Sequence, residues 1–146
     1  MSYRIGRGEM GVLTFEPYKS AILPLWRFKT PAIARQSSQQ IYEKLEAYNA
    51  EDDFVGMDMC RKFLQMGMTR AKRYANHAGG RKYSKTTGAE LPKSSTHADA
   101  NEKLEASLIF RELWEEAKNH EGYLSKKEKF LAEQKEWDKQ HKQDIR

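Results

Sequence analysis

Apolar residues recur every three or four positions over three later stretches beginning at Ala34, and residues 1–29 and a loop over 78–97 break that rhythm. Over residues 30–48, Ala34, Ser38, Ile41, Leu45 and Tyr48 share one face of a helix. Thr30-Pro31 marks its start: a threonine hydroxyl caps free N–H groups, and proline at the first helical position loses no hydrogen bond. The stretch 49–53 reads as a turn whose carboxylates suit the start of the next helix. That helix spans about 53–77 and ends at Gly79-Gly80, because glycine takes the left-handed backbone without strain. Gly56 and Gly67 within it each cost about 1 kcal/mol relative to alanine. Both fall beside its apolar side, so close helix–helix approach is the expected compensation.

A third helix follows over about 98–119, with Ala106, Ile109, Phe110, Leu113, Trp114 and Ala117 as a wide apolar stripe. Gly122 interrupts the pattern, and Ser125 is the candidate cap of a last helix reaching about Gln143. Lys, Glu and Gln dominate that helix, which places it on the surface, anchored by Phe130, Leu131 and Trp137. Ahead of the helices, Val12-Leu-Thr-Phe15 and Ile22-Leu-Pro-Leu-Trp-Arg-Phe28 are short apolar stretches punctuated by Pro17 and Pro24. The expected architecture is mainly α, a small single domain of about four helices with an N-terminal β-hairpin or extended arm. It divides into an arm (1–29), a helical core (30–77), a basic loop (78–97) and a helical region (98–146).

Composition changes this picture in two ways. With 146 residues, 32% of them charged and a mean hydropathy of −0.91, the chain supports one modest core and much exposed helix. The net charge of +5 is also unevenly placed. Residues 61–96 carry 9 basic groups and 1 acidic group, whereas both flanks are balanced or slightly acidic. A local excess of this kind points to nucleic acid or another polyanion. Cys60 is the only cysteine, which excludes an intramolecular disulfide and a cysteine-based zinc site and fits a reducing compartment. There is no signal-like apolar segment at the start and no run long enough to span a membrane, so the expected location is cytoplasmic.

The basic excess begins at Arg61 and runs to Lys85 without a carboxylate. At 100° per residue, Asp58, Arg61, Lys62, Gln65, Thr69, Lys72 and Asn76 form a polar face expected to be solvated. Met59, Cys60, Phe63, Met66, Gly67 and Tyr74 lie opposite, and Arg70 falls among them. A guanidinium turned toward a core needs a paired carboxylate or a bound anion. One reading is an internal ion pair. The other is an anion pocket of Arg70, Arg73 and His77, closed by Arg81 and Lys82 beyond the glycines. Tyr74 and Tyr83 flank this segment and could stack a base or simply close a core.

Other candidate chemistry is thin. Gly6-Arg-Gly-Glu-Met-Gly11 matches a dinucleotide fingerprint in letters, but a strand-like Val12-Leu-Thr-Phe15 follows it where a helix is required, so a glycine-rich hairpin turn is the better reading. His77, His97, His120 and His141 lack metal-ligand spacing, and no cofactor motif is present. Cys60 reads as a buried structural thiol. No acid, base and nucleophile stand at plausible spacing, so no catalytic residue is assigned and the chain leans away from an enzyme.

Several segments carry a family resemblance: Tyr3-Arg-Ile-Gly-Arg-Gly-Glu-Met-Gly-Val-Leu13, Glu16-Pro-Tyr-Lys-Ser20, Trp26-Arg-Phe-Lys-Thr-Pro31, Asp53-Phe-Val-Gly-Met-Asp-Met59, Arg61-Lys-Phe-Leu-Gln-Met-Gly67, Thr69-Arg-Ala-Lys-Arg-Tyr-Ala-Asn-His77 and Gly79-Gly-Arg-Lys-Tyr83. They resemble the family called domain of unknown function 4385, with members in bacteria and bacteriophages. The resemblance implies that the basic segment belongs to a shared pattern, and it brings no activity or site residues with it. The expected function is that of a non-enzymatic intracellular binding protein, phage or bacterial, whose basic centre engages nucleic-acid phosphates. The alternatives are a pocket for a phosphorylated small molecule or nucleotide, and docking of the C-terminal helix on a host protein.

Overall fold

Thr30 opens the first long helix as its sequence requires: the Thr30 hydroxyl accepts the Ile33 N–H at 3.2 Å, with Pro31 in the first turn. In the computed structural model, which describes residues 16–76 and 100–144, this helix is the second of five. They are α1 (Tyr18–Ile22), α2 (Pro31–Ala50), α3 (Phe54–Asn76), α4 (Ala100–Lys118) and α5 (Glu121–Asp144). The protein is mainly α, and no strand occurs among the described residues.

α3 is the central element. Every residue from Gly56 to Leu64 is buried, because α2, α4, α1 and α5 pack around it. One buried cluster joins Ile22 of α1, Ile41 and Leu45 of α2, Met57, Phe63 and Leu64 of α3, Phe110 of α4 and Tyr123 of α5. Both internal glycines do what their positions suggest. A methyl group at Gly56 would overlap the Tyr48 ring of α2, and one at Gly67 would overlap the Phe110 ring of α4. The Ser107 hydroxyl of α4 donates to the Met68 carbonyl at 2.8 Å, securing the same α3–α4 seam.

Three expectations need correction. The second half of the presumed arm is helical: α1 leads into a 3-10 turn at Leu23–Leu25, with Pro24 near the turn's start, where its missing N–H costs nothing. Ser37 of α2 then takes over the pairing a strand would supply, donating to the Leu25 carbonyl at 2.6 Å and accepting the Arg27 N–H at 2.8 Å. Val12–Phe15 and the Gly6–Gly11 motif lie outside the described residues. Among the described residues the helix count is five, not about four, because α1 adds a short one.

The last helix starts earlier than Ser125. His120 caps it through Nδ1, which accepts the Tyr123 N–H at 3.2 Å, and Gly122 sits inside the first turn against Asn49. Gly122 is there for close approach, not as a break. Of the three expected anchors, Phe130 is half-buried against the core, Trp137 is half-buried, and Leu131 is exposed.

Candidate functional site

The basic run of α3 divides into two environments. Its first part is internal. Asp58 is fully buried, and its Oδ1 accepts from Arg61 Nε at 2.9 Å, Arg61 Nη2 at 2.8 Å and the Tyr123 hydroxyl at 2.7 Å. Its Oδ2 lies 3.8 Å from Lys62 Nζ, and Arg61 Nη1 reaches Gln65 Oε1 at 3.2 Å. Arg61 and Lys62 are 7% and 1% exposed, so the expected solvated face is at this point a buried polar network. The wheel reading assumed that α3 has one buried side. α5 lays Tyr123 across the other side and gives it a second.

Charge and burial compete within this network. Burial pulls the Arg61 guanidinium down, but the Asp58 charge and Tyr123 outweigh it and leave it above the usual arginine value. For Lys62 burial prevails: its ammonium is held below the usual lysine value, with Asp58 offsetting only part of the cost. Burial, then the neighbouring Asp58 carboxylate, pushes the Tyr123 phenol up. The spacing Asp58, Arg61, Lys62 (i, i+3, i+4) was the sequence signal for such a cluster.

The second part of the run is at the surface, near the C-terminal end of α3. The Arg70 guanidinium lies 5.4 Å from the Trp26 ring centre in a half-buried position, and Arg73 and Lys72 are exposed. Trp26 meets Phe28 at 5.1 Å, and Phe28 meets Tyr74 at 5.9 Å, forming a continuous aromatic seam across the helix end. Lys103 of α4 sits 5.8 Å from the Phe28 ring centre and 5.7 Å from that of Tyr74. Its Nζ donates to the Lys29 carbonyl at 2.6 Å, which ties the Trp26–Lys29 segment to α4. Arg27 and Lys29 on that segment are exposed.

Among the described residues, Arg27, Lys29, Arg70, Lys72 and Arg73 form no ion pair with a carboxylate. Arg70 thus meets an aromatic face where an internal carboxylate was one expectation, a geometry in which the ring quadrupole attracts the cation. Of the sequence-derived set, the structure brings Arg70, Arg73 and Tyr74 together; His77, Arg81, Lys82 and Tyr83 lie outside the described residues. Sequence reasoning missed Trp26, Phe28, Lys29, Arg27 and Lys103 as neighbours of this end. The alternation Trp26-Arg-Phe-Lys29 was the available signal.

Two clefts elsewhere have a different character. One of about 460 Å³ between α2 and α4 is walled by Glu43, Glu46, Glu112 and Glu116 over Tyr42, Ile109 and Leu113, with Arg35 also lining it. Its charge repels a polyanion. The other, of about 490 Å³, lies where Asp53 caps α3. There the Tyr18 hydroxyl donates to both Asp53 oxygens at 3.0 and 2.9 Å, and Lys126 and Lys129 face a larger number of carboxylates, from Glu51, Asp52, Asp53 and Glu133. Cys60 is wholly buried, and burial pushes its thiol well above the ordinary range, the opposite of an activated nucleophile. Among the described residues no helix is long and apolar enough to cross a membrane.

The arrangement is that of a mainly α protein organised around a buried ion-pair helix, with a basic and aromatic surface at one end of that helix. A family model described as "Domain of unknown function (DUF4385)" matches residues 1–133, and the chain belongs to that family. No curated protein and no solved structure matches it.

Proposed function

We propose that this protein binds nucleic acid through the phosphates, using the open surface around Arg70 and Arg73. The observation that carries this reading is the segregation of charge on α3. Arg61 and Lys62 are paired inside with Asp58, whereas Lys72, Arg73, Arg27 and Lys29 are exposed and Arg70 is half-buried along Trp26, none of them paired with a carboxylate among the described residues. Cations without a carboxylate partner are what a polyanion neutralises, releasing its condensed counterions. The surface is open, with Arg70 lying along Trp26, which suits a polymer better than a small phosphorylated ligand in a closed recess. The α2 and α4 N-termini, on the near side of Lys29 and Lys103, add a modest positive field. Glu102 beside Lys103 opposes it. The lone, buried thiol favours an intracellular setting.

Fluorescence anisotropy of labelled oligonucleotides at two ionic strengths tests this. Binding should weaken steeply with salt, with a log–log slope of about −0.7 to −0.9 per neutralised phosphate. The Arg70→Ala/Arg73→Ala double variant should flatten that slope. Absence of binding to any DNA or RNA at low salt removes the reading.

A further inference from the structure

We infer that the groove between α2 and α4 docks a cationic amphipathic helix of a partner protein, independently of any nucleic acid held at the end of α3. The α4 wall of this groove is a single ridge. Leu104, Leu108, Glu112 and Glu116 follow one another at four-residue steps, and all four are exposed. Side chains at that spacing stand one above the other on a helix. The ridge is therefore apolar over its first half and acidic over its second, and it runs about 18 Å at 1.5 Å per residue. Leu104 and Leu108 are 47% and 53% exposed, so two leucines one turn apart stand in solvent.

Across the groove α2 presents Glu43 and Glu46, and Tyr42, Ile109 and Leu113 floor the cleft of about 460 Å³ between the walls. An apolar floor inside a charged rim is the anatomy of a protein interface. Burial, then the Glu116 and Glu46 charges, pushes the Tyr42 phenol up, so carboxylates of both walls act on one ring. Among the described residues none of the four glutamates forms an ion pair. Three cations of the same helices are engaged elsewhere. Arg111 and Lys118 both turn to Glu115, at 3.9 and 3.4 Å, and Lys44 lies 5.6 Å from the Tyr48 ring centre. Like charges one turn apart weaken a helix, and each wall carries such a pair.

Charge complementarity therefore names the occupant. Lysines or arginines at one-turn spacing relieve the repulsion, while apolar side chains of the same helix cover Leu104, Leu108 and the floor. α2 and α4 run the same way, since Lys103 reaches Lys29 just before α2, and His120 just after α4 meets Tyr42. Arg35, which also lines the groove, stands about 12 Å before Glu43 along α2 and so flanks the apolar half, leaving the acidic half to the partner's cations. The basic end of a second copy fits less well, because its Trp26 and Phe28 are half-buried and do not project.

The test uses a labelled synthetic peptide of about 18 residues, with leucines on one face of its first half and lysines at one-turn spacing in its second. A scrambled peptide of the same composition is the control. In fluorescence anisotropy the patterned peptide should bind at least about tenfold more tightly than the scrambled one. Replacing Glu43, Glu46, Glu112 and Glu116 together by glutamine should weaken the patterned peptide by about tenfold or more. Leu104→Ser/Leu108→Ser should bring it to the level of the scrambled peptide, and Arg70→Ala/Arg73→Ala should leave it unchanged. All the groove positions substituted are exposed, so an unchanged melting temperature confirms that the variants are folded. Equal affinity for the two peptides, no binding of either, or a glutamine variant that binds the patterned peptide as before overturns the inference. Self-association of the protein in sedimentation, abolished by the glutamine variant, gives the groove to a second copy and overturns it as well.

Discussion

The Tyr123 hydroxyl donates to Asp58 Oδ1 at 2.7 Å, and through this bond the polar helix α5 closes over a carboxylate with no exposure to solvent. The same oxygen holds Arg61, so one acidic side chain serves a cation on its own helix and a phenol 65 residues further along. Phe54 reinforces the seam, stacking on Tyr123 at 5.5 Å and meeting Phe130 at 5.0 Å.

Removing the Asp58 charge should therefore be severe. Asp58→Asn leaves Arg61 and Lys62 buried without their shared counter-charge, an expected loss of about 3–5 kcal/mol. Tyr123→Phe removes one hydrogen bond to a charged group and should cost about 1.5–3 kcal/mol. Urea denaturation of the two single variants and the double variant measures both losses and their coupling. A loss below about 1 kcal/mol for Asp58→Asn would show that the cations do not depend on it.

Gly67→Ala should destabilise the protein although alanine is the better helix former by about 1 kcal/mol. The added methyl overlaps the Phe110 ring, and overpacking a filled core costs about 1–3 kcal/mol. Phe110→Leu in the same chain should recover part of the loss of Gly67→Ala. Thermal denaturation of the four proteins of this cycle decides it, and a more stable Gly67→Ala protein would contradict the close α3–α4 approach.

Alkaline pH should weaken the fold partly through Tyr18. Burial, with the Asp53 carboxylate that accepts its hydrogen bond, pushes the Tyr18 phenol up to about 12 from the ordinary 10. Folding thus favours the neutral phenol. Its contribution is fully present below pH 10 and is lost as pH rises through about 12. Tyr48, held at about 12 chiefly by burial, adds a decline of the same sign. The melting temperature should fall between about pH 10 and pH 12, and less so in Tyr18→Phe. An identical fall in that variant would remove Tyr18 from the account.

Cys60 should be silent toward thiol reagents in the folded protein. It is wholly buried, and its thiol is pushed up by that burial, so neither access nor thiolate is provided. Reaction with a chromogenic disulfide should be negligible in buffer and complete in denaturant. Rapid reaction under native conditions would mean that α3 opens locally.

Much of the architecture was legible along the chain. Thr30-Pro31 announced α2, the apolar positions of α2 and α4 were read in phase, and Gly56 and Gly67 were assigned to close approach. These features are local: a cap, a period of 3.6 residues, and a missing side chain each act through neighbours within a turn or two. Arg70, Arg73 and Tyr74 were legible in the same way, as positions on one helix. Tertiary structure decided the rest. Asp58, Arg61 and Lys62 look solvated on a wheel because a wheel cannot know how many helices surround it, and α5 carries too weak an apolar stripe to declare which face it covers. The partner of Arg70 is likewise 44 residues away in sequence, on a segment held by Ser37 and Lys103. Charge at the level of sequence is only a count; whether a cation is neutralised inside or offered outside depends on what long-range packing sets against it.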